Sequence, residues 1–306
     1  LAIGLPELAA GAMALALTGY VLTGGADFGG GVWDLLASGP RRRAQRALVA
    51  DAIGPIWEAN HVWLILVVVL CFTCFPPAFA TLSTVLHIPL TLMLVGVVLR
   101  GSAFVFRAYD ARPDAVGQTV QRRWGLVFSI SSLVTPIILG VCLGALASGA
   151  VGRVDVLRGT FAERFVAPWA TPFASLAAVY LTVEAGARGD RALADDFRAR
   201  ALGAQGATFA AAFAAWVLAP PAATHVRAVV TGGAWAVFLQ ALTAACALAA
   251  LGALVARRWR VARAATQAQA ACLLWGWAWA QFPLVVPPAG TTRALAAPPV
   301  TLALSL

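Results

Sequence analysis

Residues 53–74 read Ile53-Gly-Pro-Ile-Trp-Glu-Ala-Asn-His-Val-Trp-Leu-Ile-Leu-Val-Val-Val-Leu-Cys-Phe-Thr-Cys74. No polar side chain interrupts Val62 to Phe72, and the mostly apolar run extends over about 51–75. About 20 such residues are needed to cross the hydrocarbon core of a bilayer as a helix. In lipid every backbone polar group must be bonded within the segment, so a run of this kind is helical. Outward from it lie seven more runs, at about 8–37, 77–108, 123–148, 164–187, 202–219, 227–256 and 263–286, and a ninth opens near Thr301. They are continuous, which excludes the alternating ten-residue segments of a transmembrane barrel. Of 306 residues, 61% are hydrophobic and 11% charged, with a mean hydropathy of +0.83. A soluble domain is about half apolar and about a quarter charged. A soluble globule, a disordered chain and a disulfide scaffold are therefore excluded, and the expected fold is an all-α polytopic membrane protein with eight transmembrane helices.

The charges set the orientation. All 22 basic residues are arginine, and the net charge is +9. Sixteen of them fall after the first, third, fifth and seventh runs: Arg41, Arg42, Arg43 and Arg46; Arg107, Arg112, Arg122 and Arg123; Arg188, Arg191, Arg198 and Arg200; Arg257, Arg258, Arg260 and Arg263. Five occupy the alternate connections, and Arg100 lies inside a run. Arginine-rich loops stay in the cytoplasm, so the N-terminus is expected outside. This use of charge explains the basic excess without nucleic acid. Leu1 stands where Met would, and the run at Thr301 stops as it begins, so both ends are expected to be trimmed. No cleavable signal peptide is expected, because the first stretch lacks a basic region.

Ionisable groups at membrane depth are costly and mark function. The first run carries Gly24-Gly-Ala-Asp-Phe-Gly-Gly-Gly31, in which Asp27 is expected to be buried. Asp34, seven residues on, shares its helix face and is expected at the cytoplasmic interface, solvated. In the second run Glu58 and His61 are three apart and share a face, with Trp57 four residues before His61. A Glu in an apolar helix suits a proton carrier, and His61 can partner it or bind metal. The alternative is an interfacial cluster at headgroup level, where Trp is common. Arg100 can snorkel, pair with Glu58 or Asp27, or bind an anionic or carbonyl group. Cys71-Phe-Thr-Cys74 reads as small apolar residues rather than a redox pair. A haem needs axial His or Met ligands facing across a bundle. His61 sits toward the cytoplasmic start of its run and His87 toward the outer half of the next, so no shared haem is expected.

The chain resembles subunit II of the cytochrome bd-type quinol oxidases. The likeness is carried by Gly24–Gly31, by Ile53–Leu64, by Phe75-Pro-Pro-Ala-Phe-Ala80 and by Arg100-Gly-Ser-Ala-Phe-Val-Phe-Arg107. Ala280-Gln-Phe-Pro-Leu-Val-Val-Pro-Pro288 and Ala296-Ala-Pro-Pro-Val-Thr-Leu302 add to it, so it covers nearly the whole chain. The resemblance implies two four-helix bundles, here residues 1–150 and 151–290, followed by an outer loop and the start of a peripheral ninth helix at 291–306. It implies a subunit without haem or other metal of its own and with no catalytic residue in this chain. Haem b and a d-type haem would sit in a sister subunit I that oxidises quinol, and small single-helix subunits can join. The setting is the bacterial cytoplasmic membrane, among lipid, with no nucleic acid.

Asp27, Glu58 and His61 would then form a proton pathway, with Trp57, Asn60, Trp63 and Arg100 organising the cluster or packing on a quinone. Family members often have Asp at Glu58, Glu or Gln at His61 and an acidic residue at Val105. Two rival functions are a secondary transporter and a purely structural partner of a haem subunit. Against a transporter, Gly/Pro-broken segments do not recur at corresponding places in the two halves.

Overall fold

The computed structural model describes residues 3–109, 115–147, 149, 151, 186–218, 228–229, 231–287 and 290–306. Its elements in chain order are α1 (Leu5–Leu35), α2 (Arg42–Cys74), α3 (Pro76–Val85), α4 (His87–Tyr109), α5 (Ala115–Ala147), α6 (Arg191–Leu218), α7 (Gly233–Val255), α8 (Trp259–Gln281), β1 (Leu284–Val286), β2 (Gly290–Thr291) and α9 (Pro299–Ser305). Among the described residues, four helices are long and apolar enough to cross a membrane: Leu5–Leu35, His87–Arg107, Thr119–Ala147 and Gly233–Val255. The two parts of α2, Arg42–Gly54 and Ala59–Cys74, meet at 49° and make a fifth when taken as one bent span. Pro55 lies at that bend, where it supplies no backbone N–H to the helix.

Several elements depart from the sequence reading. The third run breaks at Leu86 into α3 and α4. The eighth run was expected to stay helical to 286, but α8 ends at Gln281 and Leu284–Val286 pair antiparallel with Gly290–Thr291. Pro283 has no N–H to continue the helix, and it biases Phe282 away from helical backbone. Two of the helices expected as spans carry buried polar groups: Gln205 and Thr208 on α6, Thr266 and Gln269 on α8. The fifth expected run, about 164–187, lies outside the described residues except for its last two.

Burial is that of a membrane protein. Val62, Ile65 and Phe72 on α2, Leu94 and Val98 on α4, and Val237 and Leu248 on α7 are all exposed, as a lipid-facing surface requires. Packing concentrates at three levels. Near the arginine-rich end, Trp33, Ile53, Phe128, Phe197 and Leu254 join α1, α2, α5, α6 and α7. In the middle, Tyr20 and Phe28 of α1 meet Leu274 of α8. At the far end, Phe75, Cys142, Val286 and Leu302 gather α2, α5, the hairpin and α9. That end is tied by Ala297 N donating to the Cys74 carbonyl at 2.8 Å and by Arg293 Nε donating to Glu7 Oε1 at 2.7 Å.

Candidate functional site

The site is built on the glycine face of α1, which packs against α2 and α5. Small residues let helices approach closely in a membrane. A Cβ at Gly24 would lie 2.9 Å from Asn60 Oδ1, and one at Gly31 would overlap the Ser132 side chain. The glycines therefore bring polar side chains of α2 and α5 onto the backbone of α1.

Asp27 lies among them, fully buried. Its Oδ1 pairs with Nη2 of Arg100, which reaches across from α4. Its Oδ2 accepts from Asn60 Nδ2 at 3.3 Å, and Asn60 Oδ1 in turn accepts from Thr23 Oγ1 at 3.3 Å. Arg100 is itself 2% exposed. Its Nε donates to Ser132 Oγ at 2.9 Å, and that hydroxyl donates to the Phe128 carbonyl at 2.7 Å. The guanidinium lies 4.6 Å from the Phe28 ring and 5.1 Å from the Phe128 ring. Aromatic faces at this range attract a cation, and more so when it is desolvated. Of the roles open to Arg100 in the sequence, the structure shows the ion pair with Asp27.

The other expected residues spread along α2. Asn60 is in the cluster. Trp57 is half-buried one turn away, 5.9 Å from Phe104, which continues to Phe128 at 6.1 Å. His61 Nδ1 contacts the Trp57 carbonyl at 2.7 Å, and the His61 ring meets the Trp57 ring edge-on at 5.4 Å. Trp63 is not in the cluster; it is 37% exposed and its indole covers Gly19. Glu58 lies on α2, but its side chain is outside the described residues.

A second ionic cluster has the same construction two turns closer to the arginine-rich end. Asp34 was expected to be a solvated interfacial carboxylate. It is instead 1% exposed. Arg107 Nη1 reaches its Oδ1 at 3.0 Å and Ser129 Oγ donates to its Oδ2 at 3.1 Å. Arg46 Nε donates to the Asp34 carbonyl at 3.2 Å and lies 3.9 Å from its carboxylate. The sequence placed Arg46 and Arg107 only among the loop arginines and gave no role to Ser129, Ser132 or Thr23. The usable signal was that Asp27 and Asp34, and likewise Arg100 and Arg107, are seven residues apart.

Beyond the bilayer run, Arg41 Nε donates to Asp196 Oδ2 at 2.8 Å and Gln45 Nε2 donates to the same oxygen at 3.0 Å. Arg200 Nη2 donates to Gln45 Oε1 at 2.8 Å, so α6 is clamped to the α1–α2 turn. The Arg41 guanidinium hydrogen-bonded to Asp196 holds its carboxyl below the usual carboxylate range. A cleft of about 940 Å³ among α6, α7 and α8 is lined chiefly by apolar side chains, with Gln205, Gln240 and Gln269.

A buried carboxylate with an arginine, an amide and hydroxyls can hold charge at depth and order a hydrogen-bonded chain. The described residues do not fit an axial haem pair. His61 packs on Trp57, whereas His87 is exposed at the α3–α4 break with its Nδ1 on the Thr84 carbonyl at 2.8 Å. No group of three metal-ligating side chains occurs among the described residues.

Comparison with known proteins agrees with this layout. The structure of bd oxidase from Geobacillus thermodenitrificans contains a chain that superposes with a TM-score of 0.75 over 99% of this chain and 92% of that one, at 18% identity. Cytochrome bd ubiquinol oxidase subunit 2 of Bacillus subtilis is 31% identical over 137 residues, 45% of this chain and 38% of that protein. Cytochrome bd-I ubiquinol oxidase subunit 2 of Escherichia coli K12 is 28% identical over 142 residues, 45% of this chain and 35% of that protein. The matched stretches thus span little more than a third of those relatives. The family described as cytochrome bd terminal oxidase subunit II matches residues 5–306, and the chain belongs to that family.

Proposed function

We propose that this chain is the haem-free subunit of a bd-type terminal oxidase in the bacterial cytoplasmic membrane, oxidising quinol and reducing oxygen to water. Its partner is a haem-bearing subunit I, with room for small single-helix subunits and surrounding lipid. The haems of that partner supply the electron transfer and oxygen chemistry. The proposed architecture is eight spans in two four-helix bundles, residues 1–150 and 151–290, with the N-terminus outside and 291–306 leading into a ninth helix.

The contribution of this chain is to deliver protons from the arginine-rich side and to brace its partner. The observation that carries this reading is the Asp27–Arg100 pair, fully enclosed at membrane depth and hydrogen-bonded to Asn60 and Ser132. Charged groups at that depth are expensive and persist where they move or balance charge. Glu58 and His61, on the same helix as Asn60, are proposed to pass the proton on, with Trp57 walling the route. Trp63 packs on Gly19, which fits a bracing role, and a quinone against Trp57 is compatible with its half-buried ring.

Glu58→Gln in the assembled oxidase tests the reading. Quinol-driven oxygen consumption is expected to fall at least tenfold while haem content and subunit ratio stay constant. Unchanged turnover with both Glu58→Gln and Asp27→Asn would leave the chain as a purely structural partner.

A further inference from the structure

The Asp34–Arg107 and Asp27–Arg100 pairs have the same sequence separation, 73 residues. Equal separation at two levels means that α1 and α4 run parallel in a fixed register. Yet α4 does not pack along α1. Each packs on α5, and the two arginine side chains span the space between. α5 supplies a hydroxyl at each level, Ser132 to Arg100 and Ser129 to Asp34. Between the two carboxylates α1 reads Phe28-Gly-Gly-Gly-Val-Trp33, and Gly31 is pressed on Ser132. That spacing is tight, and among the described residues no hydrogen bond links the Ser129–Asp34 level to the Ser132–Arg100–Asp27 level. The lower pair therefore acts through helix register rather than as a relay.

We infer that Asp34 is a positioning residue: by holding Arg107 it fixes the rotation and height of α4 so that Arg100 stays on Asp27. α5 holds α4 along its length, and two pairs seven residues apart, about 10 Å along the helix, fix α4 against α1 at two levels instead of one. The groups facing Asp34 are Arg46 of α2, Arg107 of α4 and Ser129 of α5, and those facing Asp27 are Asn60 of α2 and Arg100 of α4. This role is needed only if the Asp27 cluster works as proposed above, so the test separates the two.

Spin labels carried by unnatural amino acids at the exposed positions Leu15 on α1 and Val98 on α4 report the α1–α4 distance in the assembled oxidase, leaving the five native cysteines untouched. Asp34→Asn is expected to broaden the distance distribution about twofold and to displace the pH profile of turnover, and Asp34→Glu to restore both. An unchanged distribution in Asp34→Asn overturns the inference. Should that variant fail to assemble, Arg107→Lys is read in the same way, and an unchanged width again overturns it. A broadened distribution with turnover and pH profile as in the parent supports the positioning role and removes the proton pathway instead.

Discussion

Arg107 donates to Asp34 at 3.0 Å across the same 73-residue interval that separates Arg100 from Asp27. Two buried ion pairs thus repeat along one helix pair, each with a serine of α5 beside it. The inner pair is shut away from water on all sides. The outer pair is reached by solvent through its arginines, whose side chains are 29% exposed for Arg46 and 21% for Arg107. Such a gradient leaves the outer pair to set the helix register and keeps the inner pair's charges enclosed.

The inner pair makes an asymmetric stability prediction. Removing one partner of a buried pair leaves an uncompensated charge and costs about 3–5 kcal/mol, whereas replacing both with apolar residues is far milder. Arg100→Leu alone is therefore expected to lower the thermal midpoint of the purified oxidase sharply. Asp27→Leu combined with Arg100→Leu should recover much of that loss without recovering turnover. Thermal melts followed by subunit dissociation, with oxygen consumption in parallel, decide it.

The clamp between Arg41, Gln45 and Asp196 makes a pH prediction. Asp196 has a folded carboxyl value below that of the unfolded chain. Its contribution is complete above the ordinary carboxylate value of about 4 and fades as pH falls below that through the depressed folded value. Protease sensitivity of the turn around Ser38–Gln45 should therefore stay flat from neutral pH down to about pH 4 and rise below it. Asp196→Asn should show raised sensitivity at neutral pH and a weaker acid response.

The helical class could be read from the sequence, because long apolar runs form helices in lipid, and the arginine-rich turns do lie together, as Arg41–Asp196 and Arg188–Asp51 show. Asp27 was legible as a buried carboxylate from its glycine-rich surroundings. Its partner was not, since Arg100 had equal reason to snorkel, and a choice between side-chain paths needs the third dimension. Asp34 was misread because one turn from an arginine-rich loop looks wet; Arg107, Arg46 and Ser129 close over it. The strand at Leu284–Val286 was missed because an apolar triplet at the end of a helical run carries no periodicity of its own. Pro283 before it and Pro287-Pro288 after it marked the change.

Glycine substitutions separate close approach from mere flexibility. Gly11 has nothing within 4 Å of where a Cβ would sit, while a Cβ on Gly24 would meet Asn60 Oδ1 at 2.9 Å. Gly11→Ala is expected to be neutral or stabilising by up to about 1 kcal/mol, the helix-propensity difference between the two residues. Gly24→Ala should displace Asn60 from Asp27 and cost about 1–3 kcal/mol, the usual range for overpacking. Thermal stability, measured side by side in the same detergent, should fall for Gly24→Ala and hold level or rise for Gly11→Ala.

The contact of Gly31 with Ser132 can be tested as a coupled pair. Gly31→Ala puts a methyl into the space held by the Ser132 side chain, at an expected cost of about 1–3 kcal/mol. Ser132→Gly removes that side chain but leaves Arg100 Nε without its acceptor, a loss of about 1–3 kcal/mol for a buried donor. Combined, the two changes relieve the overlap while keeping only the second penalty. The double variant should therefore be more stable than the sum of the single effects predicts, by at least about 0.5 kcal/mol, the lower bound for residues in contact. Additive behaviour would mean that α1 and α5 do not approach as closely at this level as the packing of Gly31 on Ser132 requires.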